Sequence, residues 1–160
     1  MSLTTAVWFG AELLDVATVP PVVVQELHAA LHAHGATRVV AASEEAGVVH
    51  AVFDDAAAAV EAAVVAQWNV QKMDDPGLKL RVGVHASADD QAATAGSAAL
   101  ASVANGNQIL ASGSVDQATG GVLDARPMGM IELATEGPVQ LWLMTDSRPD
   151  VDRRPLNLPD

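Results

Sequence analysis

Residues 78 to 85 read Leu-Lys-Leu-Arg-Val-Gly-Val-His, so Leu78, Leu80, Val82 and Val84 alternate strictly with Lys79, Arg81, Gly83 and His85. A period of two puts the first set on one face of a pleated strand and the second on the other. Such a strand needs neighbours in a sheet and a layer to cover its apolar face, which the rest of the chain must supply. Asp74-Asp75-Pro76-Gly77 breaks the chain just before it, and Asp89 or Asp90 can cap a helix just after it.

Upstream, Ala6 to Phe9 is a short apolar run suited to a first strand, followed by Gly10 and a mixed stretch to Thr18. Pro20 and Pro21 suit the first turn of a helix, where proline's missing amide would have been unpaired anyway. Val23, Val24, Leu27, Ala30, Leu31 and His34 then repeat at helical spacing as one apolar stripe, and Gly35 stops it. Arg38 to Ala42 and Gly47 to Phe53 are valine-rich and flank Ser43-Glu44-Glu45-Ala46, which predicts a β-hairpin with a four-residue loop. Asp54 or Asp55 can cap the next helix, which runs to about Met73 with Val60, Val64 and Trp68 on one face.

Downstream, the helix from Asp89 or Asp90 to Ala104 is built mostly from alanine, serine and glycine, which allow close packing but bury little area each. Asn105-Gly106-Asn107 ends it. Gln108 to Ala111 predicts a short strand, Ser112 or Ser114 a cap for one or two helical turns, and Gly120-Gly121 a turn. Val122 to Leu133 reads as extended segments, Gly137-Pro138 as a turn and Val139 to Met144 as a final strand. The predicted order is β-α-β-β-α-β with a C-terminal α-β extension. Two helices on one face of an antiparallel sheet, a ferredoxin-like α+β sandwich, satisfy it. Residues 1–145 form the predicted domain, and residues 146–160, with Pro149, Pro155 and Pro159, a surface-hugging or disordered tail.

Twenty acidic against eight basic residues give a net charge of −12, which argues against nucleic acid or an anionic membrane as a partner. The absence of cysteine excludes disulfides, thiolate metal sites and thiol nucleophiles, and is compatible with a reducing cytoplasm. The apolar stretch from Ala56 to Trp68 is broken by Glu61 and is shorter than the roughly 20 residues that span a bilayer. Met1 to Thr5 lacks the features of a secretory signal, so a soluble cytoplasmic domain is expected.

Three blocks of sequence carry a family resemblance. His34-Gly35-Ala36-Thr37-Arg38-Val39-Val40 followed by Ala51-Val52-Phe53-Asp54 resembles the helix end, strand and following strand of class III nucleotide cyclase domains. Leu80-Arg81-Val82-Gly83-Val84-His85 is similar to that family's central strand. Asn105-Gly106-Asn107-Gln108-Ile109-Leu110-Ala111-Ser112, with Gly129 and Gly137-Pro138-Val139, resembles its Gly-Gln-Ile-Leu-Val-Ser run and Glu-Pro-Val ending. The resemblance implies a cyclase-homology domain, with sites that form between two such domains.

It also implies where catalytic residues would stand. In the family, two aspartates hold two metal ions for phosphoryl transfer. The first, two residues after a strand-ending Phe9, is Ala11 here, with Glu12 one residue late and on the opposite face of a strand. The second, in the hairpin turn, is Gly47, or Ala46 with one inserted residue. The ribose-orienting asparagine and the phosphate-stabilising arginine correspond to Ala95 and Ala99, and the base-recognising lysine to Ala41. The segment from His85 to Gly96 is also shorter than the family's. If the correspondence holds, Ala11, Gly47, Ala95 and Ala99 line one cleft.

The catalytic, cofactor-binding and metal sites are therefore all expected to be missing. The leading expectation is an inert cyclase-like domain that dimerises, with itself or with a cyclase-type domain, as a regulatory module in signalling. Alternatives are a residual adenylate or guanylate cyclase using Glu12, Glu44 and Glu45, or a small-molecule or nucleotide-binding domain.

Other constellations read as structural. His28 and His32, four apart with His34 nearby, are the spacing of a zinc pair lacking a third ligand, and equally of an exposed helix face. His50 and His85 fall on predicted strands that can be neighbours, and His85 matches a common structural residue of the family. Ser43, Ser87 and Ser112 sit in turn or cap contexts without a nucleophile elbow. Trp8, Trp68, Trp142, Phe9 and Phe53 read as core or interface aromatics, since no basic groove accompanies them.

Overall fold

The computed structural model describes residues 3–13, 19–43, 48–73, 78–104, 108–120, 125–133 and 137–144. The hairpin-loop positions Glu44, Glu45, Ala46 and Gly47, the predicted turns at 74–77 and 105–107, and the predicted tail lie outside the described residues. The elements in chain order are β1 (Thr4–Leu13), α1 (Pro21–Ala33), β2 (Arg38–Ser43), β3 (Val48–Phe53), α2 (Ala56–Gln71), β4 (Leu78–Ser87), α3 (Asp90–Val103), β5 (Gln108–Ser112), α4 (Gly113–Ala118), β6 (Ala125–Leu133) and β7 (Gly137–Met144).

The strands form a seven-stranded sheet in the order β2-β3-β1-β4-β5-β7-β6. The first four strands with α1 and α2 are the predicted ferredoxin-like unit. β5 then joins β4 in parallel, through α3 as the crossover, so the sheet is mixed rather than wholly antiparallel. A parallel pair needs such a long connection, and α3 supplies it. β1 runs well past the predicted Ala6–Phe9, because Gly10 to Leu13 find ladder partners in Arg81 to Leu78 of β4.

Register shows which side chains share a face. Val7 and Phe9 of β1 pair with Val84 and Val82 of β4, and with Ala51 and Val49 of β3. All six belong to one core with Val23, Leu27 and Leu31 of α1 and Ala59, Ala62, Ala63 and Ala66 of α2. The α2 stripe is thus made of alanines with Val64 and Val70, while Val60 and Trp68 are only half-buried. Small side chains let α2 lie close to α1 and the sheet, which decides the rotation of the helix.

The opposite face is covered by α3. Leu100, Val103 and Ala104 pack with Leu110 of β5 and Leu141 and Leu143 of β7, and Ala93 packs with Ala6 and Val52. Because both faces of β4 are covered beyond Val82, Gly83 and His85 are buried as fully as the valines beside them. At the sheet edge, β6 carries Pro127 and a register shift up to Gly129, which has φ +97°. Proline and a bulge on an edge strand discourage further strand pairing.

Candidate site between the sheet and the third helix

α3 begins at Asp90, with the Asp89 carboxylate accepting from the Gln91 amide as its N-cap. It leaves part of β1, β2 and β3 uncovered. The gap is a cleft of about 660 Å³ lined by Trp8, Arg38, His50, Asp90, Gln91, Thr94, Ala95 and Ala98. Trp8 and His50 are register partners on β1 and β3, and their rings stack parallel within 1°, with centroids 4.8 Å apart. Facing them, α3 presents Thr94, Ala95 and Ala98, whose short side chains leave the gap open.

The polar groups of the cleft are few. His50 Nδ1 is buried and has no hydrogen-bond partner among the described residues. Burial, and then the charge of Arg38, hold the His50 imidazole below its ordinary value of 6.5 and favour its neutral form. Asp90 accepts a hydrogen bond from the Thr4 hydroxyl at 2.6 Å. Arg38 is the permanent cation among the lining residues. A cleft of this make-up can hold a flat apolar body with a small number of polar contacts, and it offers little to a polyphosphate.

The sequence-derived positions divide between the two faces. Ala11 is half-buried against the α1–α2 core, on the same face as Phe9. Ala95 lines the cleft on the other face. Ala99 lies on α3 but is not among the cleft's lining residues, Ala41 lies on β2 opposite Val49, and Gly47 is outside the described residues. One chain therefore does not bring Ala11 and Ala95 into one cleft, because alternation along β1 sends Ala11 away from α3. Glu12 follows the same alternation and pairs in register with Lys79.

The first of these positions lacks the carboxylate that would hold a metal ion, since the Ala11 side chain carries no oxygen and packs on the core. Among the described residues no group of three or more His, Asp or Glu side chains is placed to hold a metal. His28 and His32 stand with ring centroids 6.3 Å apart and no third ligand among those residues. His50 and His85 are not neighbours, because β1 lies between their strands.

His85 belongs to a buried network instead. Its Nδ1 lies 2.7 Å from Ser112 Oγ, Ser112 Oγ lies 2.8 Å from Ser114 Oγ, and the Ser114 hydroxyl donates to the Ala86 carbonyl at 2.8 Å. His85 is 1% exposed and Ser112 0%. Ser112 is the N-cap residue of α4 by position, yet its side chain makes no capping hydrogen bond and faces His85 instead. A group this deeply enclosed meets no substrate, so the network is structural.

The sequence reading missed the cleft itself. Trp8 and His50 are far apart in the chain, and only the β1–β3 register makes them a stack. A tryptophan and a histidine both on the polar side of valine-rich strands was the available signal.

No family model and no curated sequence matches the chain. Its structure is similar to an adenylate cyclase from Trypanosoma brucei solved in its monomeric state, with a TM-score of 0.76 and 16% identity over 100% of this chain and 96% of that one. It is also similar to the guanylate cyclase domain of RhGC from Catenaria anguillulae in complex with GTP, with a TM-score of 0.72, 14% identity, and coverage of 90% and 96%. The adenylyl cyclase CyaB from P. aeruginosa gives a TM-score of 0.70 at 17% identity, covering 94% and 97%. The fold is that of a class III adenylate/guanylate cyclase catalytic domain.

Among the described residues no helix is long and apolar enough to cross a membrane.

Proposed function

We propose that this chain is a catalytically inert cyclase-like domain that acts by pairing, with a second copy or with an active cyclase domain, as a dimerising or regulatory module. What supports the reading is a retained frame together with methyl groups at the positions where the resemblance would put reactive side chains. The sheet order and both helical layers are those of a cyclase catalytic domain, while the side chains of Ala11 and Ala95 offer neither a metal ligand nor a hydrogen-bond donor. A phosphate-stabilising arginine is worth several orders of magnitude in rate, and alanine cannot replace it.

The placement of Ala11 and Ala95 on opposite faces suits a site made between two domains, as the resemblance implies. In that arrangement one copy contributes the β1 end and the other the α3 face. One structural neighbour is a guanylyl cyclase domain from Blastocladiella emersonii described as a non-canonical dimer.

Two measurements test the reading. Purified chain incubated with ATP or GTP and manganese is expected to give no cyclic nucleotide, and product that disappears on Glu12→Gln would make the domain a residual enzyme. Sedimentation equilibrium is expected to show self-association, or a pull-down to recover a cyclase-type partner. A strict monomer at high concentration with no such partner would sink the pairing role.

A further inference from the structure

The cleft between β1, β2, β3 and α3 has the make-up of a ligand site rather than of an unfilled seam. Its volume of about 660 Å³ lies within the range of small-molecule pockets, roughly 300–1,000 Å³. The Trp8 indole and His50 imidazole, parallel within 1°, both line it. Aromatic walls favour flat aromatic guests by offset or edge-to-face contact. The short side chains of Thr94, Ala95 and Ala98 line the cleft from α3 and take up little of its volume.

Its polar groups narrow the guest further. His50 Nδ1 is enclosed, so the imidazole meets a guest through its ring and not through that nitrogen. Arg38 is the permanent cation at the cleft and its guanidinium matches a carboxylate in two parallel hydrogen bonds. Asp90, already engaged by Thr4, adds negative charge to the lining and disfavours a guest with several anionic groups. A triphosphate would meet that carboxylate with one arginine to offset it.

We propose that this cleft binds a small planar aromatic carboxylate, with the ring against Trp8 and His50 and the carboxylate on Arg38.

Isothermal titration calorimetry on the full chain tests it with indole-3-carboxylate and 4-hydroxybenzoate as probes, indole-3-carboxamide as the uncharged counterpart, and AMP and ATP as competitors. Saturable one-to-one binding of at least one carboxylate is expected, with the amide weaker by about tenfold or more. Arg38→Gln should weaken the acid by a similar factor without changing the affinity for the amide, and Ala95→Leu should abolish both. Both positions are exposed, so the fold should survive, and the acid–amide comparison needs no variant at all. No saturation by either carboxylate in the millimolar range overturns the proposal. So does equal binding of acid and amide, binding indifferent to both substitutions, or AMP binding more tightly than both acids with the same Arg38 dependence, which would make it a nucleotide site.

Discussion

The imidazole of His85 fills the space that a side chain on Gly96 would need, and a Cβ built there overlaps the ring carbons. This contact seats α3 on β4. A second close approach lies at Gly83, where a Cβ would run into the Ser97 carbonyl and the Ala101 amide of the helix backbone. Both glycines are required by proximity, not by backbone conformation. Gly96→Ala is expected to cost about 1–3 kcal/mol, as overpacking does. Gly83→Ala should cost more, since backbone cannot rotate away. Urea unfolding should show lower midpoints at unchanged slope for both, with the larger drop at Gly83.

The His85–Ser112 pair, at 2.7 Å and fully buried, predicts a second asymmetry. Ser112→Ala removes the 2.7 Å partner of a buried ring nitrogen and leaves it the longer 3.4 Å approach of Ser114 Oγ. A loss of about 1–3 kcal/mol is expected. Ser114→Ala should cost less, because that residue is half-buried and water can replace it. If Ser112 acted as a helix cap instead, the damage would be confined to α4, and the His85 ring resonances would not move in an NMR spectrum. They are expected to shift.

His50 makes stability depend on pH. Its folded-state value lies below the ordinary 6.5, through burial first and the Arg38 charge second. On acidification the unfolded chain therefore takes up its proton near 6.5 while the folded chain still refuses it. The contribution is complete above about 6.5 and is lost as pH falls from there through the lower folded value. Melting temperature should decline on acidification from neutral pH, and His50→Gln should flatten that part of the curve. A curve of unchanged slope in this variant would remove His50 from the account.

The cyclase correspondence predicts a gain as well as an absence. The native chain is expected to yield no cyclic nucleotide, and each of Ala11→Asp, Gly47→Asp, Ala95→Asn and Ala99→Arg alone should yield none. The four together, in a paired sample with manganese, should give measurable product, because such residues act as a unit. Mass spectrometry of the reaction decides it. A folded, paired quadruple variant with no product would show that these are not the equivalent positions.

Much of the architecture is readable from local pattern. The β4 alternation, the Asp55 and Asp89 caps, Pro21 and the glycine and asparagine breaks are short-range signals, and each element they announce exists within a few residues of its expected place. Local rules govern them, because a cap or a period of two depends on neighbours in sequence. Ladder partners rather than composition carried β1 on to Leu13, and packing distance rather than hydrophobicity turned α2 onto its alanines.

By itself, then, the sequence determined an acidic, cysteine-free α+β domain with a ferredoxin-like unit at its heart, and it placed alanine at Ala11, Ala95 and Ala99. Only the tertiary structure decided that Ala11 and Ala95 face opposite ways, that His85 is enclosed with Ser112, and that Trp8 and His50 form the wall of a cleft. Sheet register and helix seating are long-range choices, made when strands far apart in the chain pair and a helix finds the glycines that admit it.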